Sequence, residues 1–113
     1  NAIIEKESNT LIAGCKNTEI QYGVETIGDY AFHGCSGLTE IVIPDSVEAI
    51  GDYAFNGCSG LTEITLPDSV TSIGYEAFNN CVRLVSVEMS SSVTYIDENA
   101  FNYCPMLKGL TNE

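Results

Sequence analysis

A 23-residue unit recurs in register from Val24 onward, and it limits the fold more than any other feature of the chain. The first unit covers residues 24–46 and the second 47–69. They differ only at Thr26/Ala49, His33/Asn56, Val42/Thr65 and Ile43/Leu66. The third, 70–92, diverges more but keeps Val70, Ile73, Ala77, Phe78, Cys81, Leu84 and Val87. A partial fourth, 93–113, keeps Val93, Ile96, Ala100, Phe101, Cys104 and Leu107. The constant positions are apolar and the variable ones polar, which marks a core facing inward from every unit. A unit this short cannot bury its own apolar face, so neighbours must stack into a solenoid.

Within a unit, Leu38-Thr39-Glu40-Ile41-Val42-Ile43 alternates at its end, and a period of two predicts a strand. Successive units then lay these strands in parallel, about 4.8 Å apart. Pro44 ends the strand because it cannot donate to a ladder, and Pro-Asp-Ser reads as a turn. Val47 and Ile50 form a second short extended segment. Residues 51–58 read as one or two helical turns, with Asp52 at the start, where a carboxylate meets exposed amides. Ala54, Phe55 and Cys58 then share an inward face.

Two columns suggest positive φ, because Gly gives way to Asn or Asp in each. One is Gly28, Gly51, Gly74 and Asp97; the other is Gly34, Gly57, Asn80 and Tyr103. Tyr103 suits such a conformation poorly and predicts a distorted last coil. The first 23 residues differ from the rest. Ala2–Glu5 and Thr10–Ala13 read as two strands around a polar turn, and Ile20 falls 23 before the core residue Ile43. We read them as a hairpin and a variant coil that shield one end of the array.

The chain's 113 residues fit a single domain, 1–113. Sixteen acidic against four basic residues give a formal net charge of −12. Lys6, Lys16, Arg83 and Lys108 are too few and scattered to neutralise phosphates, so nucleic acid is excluded as a partner and anionic membranes are disfavoured. No apolar run reaches the length of a membrane span. The chain opens on Asn1, without an initiator Met or a signal peptide, and reads as a piece of a longer protein or a mature product.

Cys35, Cys58, Cys81 and Cys104 fall 23 apart, three residues after each Phe. Side chains stacked at one repeated position point the same way, whereas a disulfide needs converging Cβ vectors. We expect a ladder of buried, reduced thiols, with Cys15 in the imperfect first coil.

These residues resemble a known family. The pattern L-x-x-I-x-I/L-P-x-x-V-x-x-I-G-x-x-A-F-x-x-C, at period 23, is similar to the BspA-like (Treponema pallidum type) leucine-rich repeats. The opening segment looks like an irregular stretch found between repeats there. The resemblance implies a right-handed superhelix in the α/β class, with a parallel sheet on one face and short helical turns on the other. It also implies a cell-surface or secreted protein of a host-associated bacterium or a parasitic protist, associated with adhesion. It carries over no catalytic residue. Ser90, in place of the strand-ending Pro, together with Asp97 and Tyr103, departs from the pattern.

No catalytic, cofactor or metal constellation stands out. His33 lies two residues from Cys35, but Asn56, Asn79 and Asn102 take its place in later units, so it reads as surface decoration. The Cys ladder lacks the paired, convergent ligands of structural zinc. The Phe32, Phe55, Phe78, Phe101 column reads as core. One Asp per turn, at Asp45 and Asp68, is thin for calcium's six to eight oxygens. The outward side chains of the expected sheet, Thr39, Glu40, Val42, Thr62, Glu63, Thr65, Ser86 and Glu88, form the candidate partner-binding face, since solenoids commonly bind there. The plainer reading is a solvated face. Tyr30, Tyr53, Tyr75 and Tyr95 are a second candidate, because exposed tyrosine suits interfaces. The sequence therefore points to a non-enzymatic binding module for a protein or glycan. A spacer or self-assembling segment is the alternative.

Overall fold

Stacked coils must exchange backbone hydrogen bonds with their neighbours, because a 23-residue loop offers its own amides few partners. A computed structural model describes residues 3–5, 9–13, 19–108 and 110–112, and shows how that exchange is arranged. Among the described residues there are nine short strands. They are β1 (Ile3–Glu5), β2 (Thr10–Ala13), β3 (Thr26–Ile27), β4 (Ala49–Ile50), β5 (Glu63–Thr65), β6 (Ser72–Ile73), β7 (Ser86–Met89), β8 (Tyr95–Ile96) and β9 (Leu110–Asn112).

The broader sheet has the order β1-β2-β3-β4-β6-β8. It is built from the segment around Val47 and Ile50, which the repeat pattern ranks second. Its parallel strands align Thr26, Ala49, Ser72 and Tyr95 across the stack, and Ile27, Ile50, Ile73 and Ile96 beside them. The expected hairpin forms: β1 pairs antiparallel with β2, and β2 continues the parallel ladder by setting Leu11 against Ile27. That step spans 16 residues instead of 23, so the first coil is short. Ile20 is buried as expected, but residues 19–20 form no strand.

The second sheet, β5-β7-β9, holds the surface predicted to carry function. Here one expectation fails. Residues 38–43 form no strand, although they match the segment that contains β5 almost residue for residue. The Thr62 amide reaches the Thr39 carbonyl only at 3.5 Å, whereas Val85 reaches Thr62 at 2.8 Å. Leu66 donates to Glu88 at 2.7 Å, and among the described residues Ile43 makes no matching bond to Thr65. A parallel strand exists only through its neighbours, and this segment makes only the long Thr62–Thr39 bond toward β5's coil.

The predicted helical turns are also absent; among the described residues there is no helix. In 53–58, alternate amides point in different directions. Tyr53, Phe55 and Gly57 donate to Tyr75, Ala77 and Asn79 of the next coil at 2.7–2.9 Å. Ala54, Asn56 and Cys58 donate three residues back, to Gly51, Tyr53 and Phe55, at 3.1–3.3 Å. Amides committed to the next coil cannot build the i to i−4 ladder of an α-helix. Positive φ at Tyr30, Tyr53 and Glu76 breaks the helical path as well.

The second glycine column behaves as expected, with φ of 73°, 77°, 65° and 57° at Gly34, Gly57, Asn80 and Tyr103. Tyr103 thus adopts the shared conformation, and the last coil is not distorted there. Gly28, Gly51 and Gly74 do not have positive φ. Gly51 and Gly74 are small because of close approach: a Cβ on Gly51 would sit 2.8 Å from the Asp29 nitrogen and 2.9 Å from the Gly28 carbonyl carbon.

Between the faces lies one continuous core. Phe32, Phe55, Phe78 and Phe101 stack with centroids 5.0–5.2 Å apart and rings within 4° of parallel. Val47, Ile50, Leu61, Val70, Ile73, Leu84 and Val87 fill the space around them, all buried. At the last described coil the burial weakens: Ile96 is 38% exposed and Phe101 is only partly covered.

Candidate functional site

The sheet face arises from alternation over this core. In β5, Ile64 points inward while Glu63 and Thr65 point out; in β7, Val87 and Met89 are buried while Ser86 and Glu88 are exposed. All eight candidate residues, Thr39, Glu40, Val42, Thr62, Glu63, Thr65, Ser86 and Glu88, are solvent-exposed. The ladder sets Glu63 beside Ser86 and Thr65 beside Glu88. Thr39, Glu40 and Val42 lie on the unpaired segment, with Val42 82% exposed. A shallow groove runs where the pairing is missing, lined by Glu40, Val42, Thr62, Glu63 and Thr65. The candidate face therefore has a paired half and an unpaired half. Its polar groups are carboxylates and hydroxyls, a surface that offers acceptors to a partner and no general base or nucleophile in a closed site.

The tyrosine corner lies beside the broader sheet. Tyr30 and Tyr53 stack face to face at 4.7 Å, and Tyr75 meets Tyr53 edge-on at 5.4 Å. His33 is exposed, as read from the sequence, and packs against the Tyr30 ring at 5.5 Å. The Tyr95 hydroxyl donates to Asp97 at 3.1 Å. Tyr30 and Tyr53 hold φ near +60°, a conformation that costs an L-residue roughly 1–2 kcal/mol and that Gly or Asn adopts more readily. Tyr75 and Tyr95 have hydroxyls pushed above their ordinary value, first by hydrogen bonds to Glu76 and Asp97. Burial is the first cause at Tyr53, followed by the charge of Glu76.

Asp52 does not cap a helix. Its carboxylate accepts the Tyr75 amide of the next coil at 2.9 Å, and Asp29 likewise accepts the Asp52 amide at 2.8 Å. This contact explains the nearby glycines, because the carboxylate and backbone of one coil occupy the space of a Cβ in the next. The sequence carried a signal for it. Where Tyr75 replaces the Asp, the glycine of the following unit becomes Asp97, whose carboxylate accepts the nearby Asn99 amide at 2.9 Å.

The cysteines form the expected ladder. Cys35, Cys58 and Cys81 are buried, Cys104 is half-buried, and none of the four is in a disulfide. Cys58, Cys81 and Cys104 each donate Sγ–H to the Phe carbonyl of the preceding coil at 3.0–3.2 Å. Burial pushes the Cys81 and Cys104 thiols up, which keeps them protonated. Cys15 lies outside the described residues. Among the described residues, no three His, Cys, Asp or Glu side chains converge as metal ligands. Asp45 and Asp68 are exposed and stand singly, one per turn.

A family model described as the BspA type leucine-rich repeat region matches residues 4–112 in six copies. The chain belongs to the BspA-type leucine-rich-repeat family. This BspA-type domain is similar to a leucine-rich repeat protein from Bacteroides capillosus, at 26% identity and TM-score 0.80, over 99% of this chain and 92% of that one. It resembles a leucine-rich cell surface protein from Faecalibacterium prausnitzii at 30% identity and TM-score 0.70, covering all of this chain but 38% of the other. It is also similar to a T. pallidum leucine-rich repeat protein, at 26% identity and TM-score 0.59, over 97% and 67% of the two chains. No curated protein matches it in sequence. BspA-type repeats are generally a non-enzymatic fold that serves protein interaction.

Proposed function

We propose that this domain is a non-catalytic adhesion or protein-binding module of a cell-surface or secreted protein, and that it binds through the sheet face. The observation that carries the reading is the division of labour within β5 and β7. Every inward residue is buried, and Glu63, Thr65, Ser86 and Glu88 stand outward in register with nothing over them. The relative from F. prausnitzii is described as a cell surface protein, which supports the location. The right-handed winding implied by the family agrees with the strong preference of parallel crossover connections. Carboxylates and hydroxyls on the face suit a partner protein or glycan rich in donors.

The test is binding of the domain to a panel of host matrix proteins and glycans at low and physiological salt, with Glu40→Lys/Glu63→Lys as the control. A specific hit that the variant loses supports the reading. A panel without hits at either salt moves the weight to a spacer or self-assembling segment. That second reading has its own support in the exposed Ile96 and Met106 beside half-buried Phe101 and Leu107. Light scattering at high concentration checks it, since a strictly monomeric species removes self-assembly.

A further inference from the structure

The tyrosine corner is the largest exposed aromatic feature of the molecule, and the sheet-face reading leaves it unused. Tyr30 and Tyr95 are each 55% exposed, and Tyr53 and Tyr75 connect Tyr30 toward Tyr95 across successive coils. Carboxylates border the rings: the Tyr95 hydroxyl donates to Asp97 at 3.1 Å, and the Tyr75 amide donates to the Asp52 carboxylate at 2.9 Å. Glu76 adds a further charge beside Tyr53 and Tyr75. The described basic residues, Arg83 and Lys108, sit in the segments that lead into β7 and β9.

Positive φ at Tyr30 and Tyr53 sharpens the argument. Asn or Gly would hold this conformation at lower cost, and the third coil holds it with Glu76 at φ 50°. Neither ring enters the core, so packing of the interior does not account for large residues at these positions. A ridge of aromatic rings bordered by carboxylates matches one chemistry well, the planar cationic guanidinium, which stacks on aromatic rings and pairs with carboxylates.

We propose that the Tyr30–Tyr53–Tyr75–Tyr95 ridge, with Asp52, Glu76 and Asp97, is a second interaction surface whose partner is an arginine-rich peptide segment. It is separate from the sheet face and stands whether or not that face binds.

The experiment titrates octa-arginine into the domain and follows tyrosine emission together with calorimetry. The chain has six Tyr and no Trp, so emission reports largely on the ridge itself. The decisive variant is Tyr30→Asn/Tyr53→Asn, which leaves the net charge at −12 and suits the backbone at both sites. A thermal melt first confirms that it folds. We expect affinity for octa-arginine to fall about fivefold to tenfold in this variant. Octa-lysine should bind the parent domain about threefold or more weakly than octa-arginine. Glu40→Gln/Glu63→Gln, which neutralises the sheet face, should leave octa-arginine binding within about twofold. Equal affinity in the folded Tyr variant overturns the proposal, as does loss only in the sheet-face variant, because attraction would then follow overall charge. Absence of octa-arginine binding at low salt overturns it too.

Discussion

Residues 38–43 and 61–66 read Leu-Thr-Glu-Ile-Val-Ile and Leu-Thr-Glu-Ile-Thr-Leu, yet only the second stretch contains a strand. Both bury Leu and the final aliphatic residue, but Ile41 is only half-buried where its counterpart Ile64 is buried. They differ in company. β5 pairs with β7 in full register, whereas 38–43 makes one long hydrogen bond to β5's coil. The neighbouring face gives the opposite result. Residues 30–34 and 53–57 bond to the next coil in the same way in both units. A repeat's side chains thus decide what is buried, while its neighbours decide whether the backbone ladder closes.

The largest effect that sharpens this comparison lies in the core. Phe55→Ala removes a ring stacked on both sides and should cost about 3–5 kcal/mol in urea unfolding. Phe101→Ala, in the partly exposed last coil, should cost clearly less. Equal losses would mean that stacking on both sides adds nothing.

Next come the glycines. Gly51→Ala drives a Cβ into the backbone of Gly28 and Asp29 and should cost about 2–3 kcal/mol. At Gly34 a Cβ meets nothing within 4 Å, so Gly34→Ala should cost only the strain of φ +73°, roughly 1 kcal/mol. The reverse order would show that conformation, not inter-coil contact, governs the first column.

Stability should also respond to alkali. Burial raises the Cys81 thiol above its ordinary 9.0 in the folded chain, with Cys104 shifted in the same direction. The unfolded chain releases those protons first. The contribution is therefore complete below pH 9 and is lost as pH rises beyond it toward the folded value. Urea midpoints measured from pH 7 to pH 10.5 should be flat at first and then fall. A midpoint that rises above pH 9 would contradict buried thiols.

The smallest effect addresses the comparison itself. Val42→Thr/Ile43→Leu makes 38–43 identical to 61–66 and should shift stability by no more than about 0.5 kcal/mol. It should not create a strand, which the amide-proton chemical shifts of 41–43 will report.

The same contrast explains what could be read from the residues alone. The core was legible: Val47, Ile50, Phe55, Cys58 and Leu61 announce themselves by apolar identity at a fixed period, and all are buried. The outward positions followed from alternation, and all eight candidates are exposed. Pairing was less legible. The six-stranded sheet runs largely through two-residue segments too short to show a period, and the stretch without a strand, 38–43, differs from 61–66 at only two residues. The helix was misread because Ala54, Phe55 and Cys58 share an inward face in a turn as they would in a helix. The spacing alone does not reveal that alternate amides leave the coil.

Residue-resolved amide exchange tests the central claim most directly: coil-to-coil pairing, not a unit's own residues, forms the strands that carry the candidate binding face. The account predicts slow exchange at Leu66 and at Val85, Phe55 and Gly57, whose amides bond to neighbouring coils, and fast exchange at Ile43. Equal protection at Ile43 and Leu66 would contradict it, because near-identical units would then be forming the same strand.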